Sequence, residues 1–172
     1  SYTDWELIIV DDGSTDNTLH VLQKISSESD VNCKVISISP SKWVFSARNK
    51  GFEQITSDYF FFLDADDWVD VDYVEKMAGV LDHNTDISVV YPDMVYFDEN
   101  FNEAIFRVPD FDPQILVQKN FVAYSSMQRT SKFKEIGCYS EYLNDCRNHL
   151  SEWDLWLRYI KKGIGFKRFA EP

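Results

Sequence analysis

Runs of basic residues are missing from this chain. Its 17 lysines and arginines stand against 29 aspartates and glutamates, for a formal charge of -12. A surface of that sign repels nucleic acid and anionic membrane, so a phosphorylated ligand would have to be met by a cation or by a few local arginines. Cysteine is scarce too. Cys33, Cys138 and Cys146 are odd in number and lack Cys-x-x-Cys spacing, which argues against a disulfide framework or zinc site and points to buried thiols in a reducing, cytoplasmic compartment. No apolar run approaches the roughly 20 residues of a membrane span, and no signal-peptide pattern is visible in these residues. His20, His83 and His149 form no pairing with Cys or Ser at catalytic spacing. Repeats, low-complexity segments and linkers are also missing, so the 172 residues read as one domain, and 44% apolar residues are ample for a packed core.

What is present in quantity is acid, and its most informative cluster ends an apolar run. In Tyr59-Phe-Phe-Phe-Leu-Asp64-Ala-Asp66-Asp67-Trp68 a strand-like stretch stops at three carboxylates, with Asp70 and Asp72 close behind. Two unit charges about 4 Å apart repel by roughly 1 kcal/mol in water and roughly 4 kcal/mol at an effective dielectric of about 20. A hard divalent cation, Mg²⁺ or Mn²⁺, would relieve that repulsion and hold phosphate oxygens in its open positions. The competing reading is that Asp66 or Asp67 only caps a helix running from Val69 to Leu81. Capping explains one or two carboxylates. It leaves the third, and the placement of all three at the carboxyl end of a strand, where open α/β sheets bind ligands.

Apolar runs and helical patterns alternate from the start. Trp5 to Val10 is expected as a strand, Asp11-Asp12-Gly13-Ser14 as a turn, and Asp16 to Ser26 as a helix presenting Val21, Leu22 and Ile25 on one face. A strand at Val35 to Ile38, a helix from Ala47 to Ile55 and the Tyr59 to Leu63 strand follow. Strands separated by helices imply right-handed crossovers and a mostly parallel sheet in an α/β fold. Beyond residue 82 the pattern changes: strands are expected at Ile87 to Phe97 and Ala104 to Val108, a loop at Pro109 to Pro113, and an amphipathic helix from Ser151 to Lys162.

Four motifs in order resemble family 2 glycosyltransferases: Ser1-Tyr-Thr-Asp-Trp-Glu-Leu-Ile-Ile-Val-Asp-Asp-Gly-Ser-Thr-Asp-Asn-Thr18, Ala47-Arg-Asn-Lys-Gly51, Leu63-Asp-Ala-Asp-Asp-Trp68 and Glu152-Trp-Asp-Leu-Trp-Leu-Arg158. The resemblance implies a GT-A fold, a Rossmann-like three-layer sandwich, with residues 1–82 as a nucleotide-binding half and 83–172 as an acceptor-side half. It also implies that the domain's opening strand and helix precede residue 1. The implied activity is transfer of a sugar from a nucleotide-diphosphate donor, UDP-sugar favoured, to a hydroxyl on a saccharide, lipid-linked or protein acceptor, with inversion and a divalent metal cofactor. The implied setting is cell-envelope polysaccharide synthesis in the cytoplasm, with peripheral association at the inner membrane face left open.

The same resemblance distributes roles. Asp11 and Asp12 are the candidate nucleotide-sugar-binding pair, Asp12 matching an aspartate that accepts a hydrogen bond from the nucleotide base; the alternative is a turn in which the pair bonds local backbone. Asp64, Asp66 and Asp67 match the Asp-x-Asp region, with Asp66 on the ribose or diphosphate, Asp66 or Asp67 as direct metal ligand, and Asp64 in support. Arg48 is a candidate diphosphate contact through its guanidinium fork, or else a surface salt bridge. Glu152 falls where the family carries a catalytic aspartate, after Ser151 in place of a glutamate. It is either the general base or a favoured first-turn acid behind an N-capping Ser151. Two other classes compete: a receiver domain, which also places acid after its first strand, and a non-catalytic nucleotide-sugar-binding module, suggested by the Ser151-Glu152 departure.

Overall fold

The expected alternation begins at once in a computed structural model, which describes residues 2–100, 102–143 and 150–171. Ser1, Cys146 and His149 lie outside the described residues. Contacts divide the chain into two units, Ser1–Thr56 with Cys138–Ser151 and Ser57–Gly137 with Glu152–Pro172.

In the first unit, strands β1 (Leu7–Asp11) and β2 (Cys33–Ser37) pair in parallel, Leu7 opposite Cys33 and Asp11 opposite Ser37. Helix α1 (Thr18–Glu28) connects them, and helix α2 (Trp43–Phe52) returns against β1. Close approach of α2 depends on Gly51, where a Cβ would sit 3.1 Å from Val10 Cγ2. The apolar face expected on α1 is only partly covered: Leu22 is half-buried while Val21 and Ile25 are exposed, since two strands offer a helix little surface. A returning segment closes the unit, with Asn49 Nδ2 donating to the Tyr139 carbonyl and Tyr139 N–H to Asn49 Oδ1, both at 3.0 Å. Cys33 and Cys138, expected as buried thiols, are half-buried.

The second unit holds strands β3 (Tyr59–Phe60), β4 (Ile87–Pro92), β5 (Met94–Phe97), β6 (Glu103–Phe106), β7 (Met127–Arg129) and β8 (Gly165–Phe169). Its helices are α3 (Tyr73–His83), α4 (Pro113–Gln118), α5 (Thr130–Glu135) and α6 (Leu150–Lys161). The main sheet runs β3-β7-β4-β8 and is mixed: β4 and β8 are parallel, whereas β7 is antiparallel to both neighbours. Side-chain alternation sorts its layers. Phe61, Val90 and Met127 pack with Tyr73, Met77 and Leu81 of α3 on one face. On the other, Phe60 meets Phe133 of α5, and Phe166 meets Trp156 and Tyr159 of α6.

The run Ile87 to Phe97, expected as one strand, is two. The break is Asp93, whose buried carboxylate accepts from Arg168 Nε at 3.0 Å and Nη2 at 2.8 Å and from Val108 N–H at 3.0 Å. That pairing turns the chain out of β4 into the antiparallel hairpin β5-β6. The expected loop at Pro109 to Pro113 ends as a helix start: Asp112 Oδ1 accepts Gln114 N–H at 2.7 Å and Pro113 takes the first helical position. Among the described residues no helix is long and apolar enough to cross a membrane.

Candidate functional site

Asp11 and Asp12 close β1 at the turn completed by Gly13, whose φ of 82° is left-handed. Asp11 is 5% exposed; its Oδ1 accepts from Ser14 N–H and its Oδ2 from Ser37 Oγ, each at 3.3 Å. Asp12 reaches across to the start of α2. Its carboxylate accepts Ser41 Oγ–H at 2.6 Å, Lys42 N–H at 2.8 Å and Trp43 N–H at 2.8 Å. Thirty residues away in sequence, it satisfies amides at the start of α2, and three of a carboxylate's roughly four acceptor sites are engaged.

Arg48 lies on α2 and is 8% exposed, so it is buried rather than on the surface. Its guanidinium carbon sits 5.8 Å from the Phe45 ring centroid and 5.7 Å from that of Tyr139, within cation–π range.

The acidic cluster belongs to the second unit. Ladder bonding stops at Phe60, but alternation continues, Phe62 turning toward Phe133 as Phe60 does and Phe61 toward Tyr73. The chain then emerges at Leu63, and a turn closed by Asp67 N–H to the Asp64 carbonyl at 3.1 Å presents the carboxylates. Asp64 is half-buried; Asp66 and Asp67 are exposed. Helix α3 starts only at Tyr73, with Asp72 in the N-cap position and bridged to Lys76 at 3.0 Å. Neither Asp66 nor Asp67 caps it. Asp67 Oδ2 accepts the hydroxyl of Tyr124, a partner with no local signal in the sequence. Asp66 makes no hydrogen bond or ion pair among the described residues.

Among the described residues no three His, Cys, Asp or Glu side chains gather closely enough to cage an ion. The donor set is instead two exposed carboxylates, Asp66 and Asp67. That chemistry fits Mg²⁺ or Mn²⁺, which take one or two carboxylates and fill the remaining positions with phosphate oxygens and water.

Glu152 is the third residue of α6, so the helix has already begun when Ser151 is reached. Glu152 is 6% exposed and shares its helix face with Leu155, Trp156 and Tyr159, all fully buried. Two indoles fix α6 in place, Trp153 Nε1 donating to the Leu116 carbonyl at 2.6 Å and Trp156 Nε1 to that of Val122 at 3.1 Å.

The sequence profile of Glycosyl transferase family 2 matches residues 1–141. The chain belongs to that family. Asp11, Asp12, Arg48 and the acidic cluster lie inside the family 2 match, and Glu152 beyond it. The EpsE protein of Bacillus subtilis is 28% identical over 166 residues, covering 95% of this chain and 59% of the relative. Residues 1–349 of TarS from S. aureus, solved with UDP, superpose with a TM-score of 0.73 at 19% identity, over 99% of this chain and 50% of that one. GalNAc-T7, solved with UDP, GalNAc and Mn²⁺, gives 0.69 at 14% identity, over 96% and 37%. The chain therefore spans 59%, 50% and 37% of the lengths of these three proteins. At these identities the structural likeness establishes the fold, which is GT-A. Family and fold together remove the receiver-domain alternative.

Proposed function

We propose that this chain carries the donor site and the general base of a glycosyltransferase that moves a sugar from a nucleoside diphosphate, UDP favoured, to a hydroxyl acceptor with inversion. The observation that carries the reading is the exposed pair Asp66 and Asp67. It follows an apolar strand run, caps no helix, and stands exposed at consecutive positions. UDP and Mn²⁺ in the solved relatives of this fold support the choice of ligand.

In this reading Asp66 faces the ribose or diphosphate, and Asp66 and Asp67 hold Mn²⁺ or Mg²⁺, with Asp64 behind them. Bound there, the cation is a Lewis acid for the departing diphosphate. Asp12 keeps one acceptor site for a base imide N–H, Asp11 steadies its turn, and Arg48 is the diphosphate contact. The Glu152 carboxylate takes the acceptor hydroxyl's proton as that oxygen bonds to the anomeric carbon. The bond from that carbon to the diphosphate oxygen breaks, and its electron pair leaves with the nucleoside diphosphate, which inverts the centre. Residues 1–82 serve the nucleotide and 83–172 the acceptor, a saccharide, lipid-linked or protein hydroxyl of envelope polysaccharide synthesis, in the cytoplasm or at the inner membrane face.

The Ser151-Glu152 departure favours one second reading, a module that binds the donor without turning it over. Calorimetric titration of UDP, dTDP and GDP with Mn²⁺ and with EDTA, into the parent and an Asp66→Ala/Asp67→Ala variant, tests the donor site. Metal-dependent binding of one nucleotide, lost in the variant, is the expected result; no binding to any of them sinks the reading. Binding with neither donor hydrolysis nor transfer selects the non-catalytic module.

A further inference from the structure

Immediately after Asp67 the chain places Trp68, which is 60% exposed. A lone exposed aromatic needs no explanation. Trp68, however, is stacked on Phe97 at the end of β5, their ring centroids 4.0 Å apart and their planes 13° from parallel. Phe97 itself remains 36% exposed. The stack joins the acidic loop to the β5-β6 hairpin. It fixes the orientation of the indole before any ligand arrives, so binding would not have to pay for ordering it.

The neighbours restrict what the open indole can receive. Asp66 and Asp67 adjoin it in the chain, are exposed, and accept hydrogen bonds without donating them when ionised. An apolar protein face or an acyl chain laid over Trp68 would strip water from those carboxylates with no compensating donor, which is costly. The occupant that suits both features has an apolar C–H face and a rim of hydroxyl donors. That is a pyranose ring.

We propose that Trp68, held by Phe97, is the platform on which a saccharide ring stacks beside the carboxylate pair. The inference rests on the donor-site reading of Asp66 and Asp67 for its place in the reaction, while the stacking itself is measured independently. The ring belongs either to the donor or to the acceptor, and its chemistry is the same in both.

The test follows the indole N–H resonance of Trp68, assigned by its loss in Trp68→Phe, as the parent is titrated in Mg²⁺. The probes are UDP, UDP-glucose, UDP-galactose and UDP-N-acetylglucosamine, then the matching methyl glycosides. The resonance is expected to move with a sugar-bearing probe and to stay still with UDP. Trp68→Ala is expected to lose about tenfold in affinity for that probe, and Trp68→Phe, which keeps an aromatic face, to lose about threefold or less. Movement with a nucleotide sugar assigns the donor ring; movement with a methyl glycoside assigns the acceptor ring. Movement with UDP alone, movement with no probe, or unchanged affinity in Trp68→Ala overturns the platform. If a methyl glycoside moves the resonance while no nucleotide binds, the donor-site reading falls and the platform stands; UDP binding with an indole that stays silent to every sugar-bearing probe is the reverse.

Discussion

Removing the carboxylate of Asp12 should destabilise the fold by about 2–3 kcal/mol, although the residue lies outside any helix. Its carboxylate accepts from Ser41 Oγ, Lys42 N–H and Trp43 N–H within 2.6–2.8 Å. Hydrogen bonds to a charged group contribute about 1.5–3 kcal/mol each when well shielded, and loss of a helix N-cap costs about 0.5–2 kcal/mol. Asp12 is half-exposed, so water replaces part of what is lost, and the simple sum must be discounted. The bond to Trp43 N–H also holds that residue at a φ of 71°, and relaxation of a left-handed non-glycine residue returns about 1 kcal/mol. The assay is urea unfolding of the parent, Asp12→Ala and Asp12→Asn. With a slope of about 2 kcal/mol/M, the alanine midpoint should fall by about 1–1.5 M at unchanged slope. Asparagine keeps only one acceptor oxygen and turns its NH₂ toward either Lys42 N–H or Trp43 N–H, so Asp12→Asn should lose about 1–2 kcal/mol. An Asp12→Ala loss under about 0.5 kcal/mol would refute the reasoning, because the amides of α2 would then be as well served by water.

Two further outcomes are expected. Glu152→Gln should retain the folded spectrum and UDP affinity while transfer falls by about 10²- to 10⁴-fold; transfer within about threefold of the parent would remove Glu152 from the chemistry. Asp93→Asn should cost about 3 kcal/mol at pH 7, since it leaves Arg168 without its buried anion. Hydrogen bonds from Arg168 hold the Asp93 carboxyl below its ordinary range. Its contribution is therefore complete above the unfolded value of about 3.9 and disappears as pH falls through the lower folded value. Unfolding at pH 7, 4 and 3 should show the two proteins converging in acid; a gap that stays constant with pH contradicts the pairing.

The parts of this fold legible in the sequence are those set by local periodicity. β1, α1, β2, α3 and α6 lie within a few residues of their expected places because each repeats apolar positions at its own period. The strand β7 was not expected. Its three residues, Met127, Gln128 and Arg129, carry no pattern, and they are ordered by pairing with β3 and β4 from distant parts of the chain. The start of α2 lies four residues before the expected Ala47, and the shortest bonds to its first amides come from Asp12, which no local pattern connects to them. Within the candidate site the carboxylates themselves were legible as a motif. Tyr124 on Asp67 and the stack of Phe97 on Trp68 depend on tertiary approach and were not.

The acidic surplus divides into carboxylates engaged in folding and carboxylates left to solvent. Asp11 and Asp12 bind turn and helix amides, Asp93 binds Arg168, Asp98 accepts Asn100 and Asn102 N–H in the β5-β6 turn, and Asp112 caps α4. Asp66 has no such role among the described residues, and Asp67 has one hydroxyl. Exposed acids such as Asp4, Glu6, Asp30 and Asp70 share that lack, so what sets Asp66 and Asp67 apart is their place directly after the apolar run Tyr59 to Leu63. The consequence is quantitative. In Asp66→Ala/Asp67→Ala the lost Tyr124 bond costs about 1 kcal/mol, and removing two exposed acids from the acidic loop works in the opposite direction. The variant that abolishes metal-dependent nucleotide binding should therefore unfold within about 1 kcal/mol of the parent. A loss of about 3 kcal/mol or more would mean that these carboxylates hold the loop together, and their claim on a cation would then rest on the family resemblance alone.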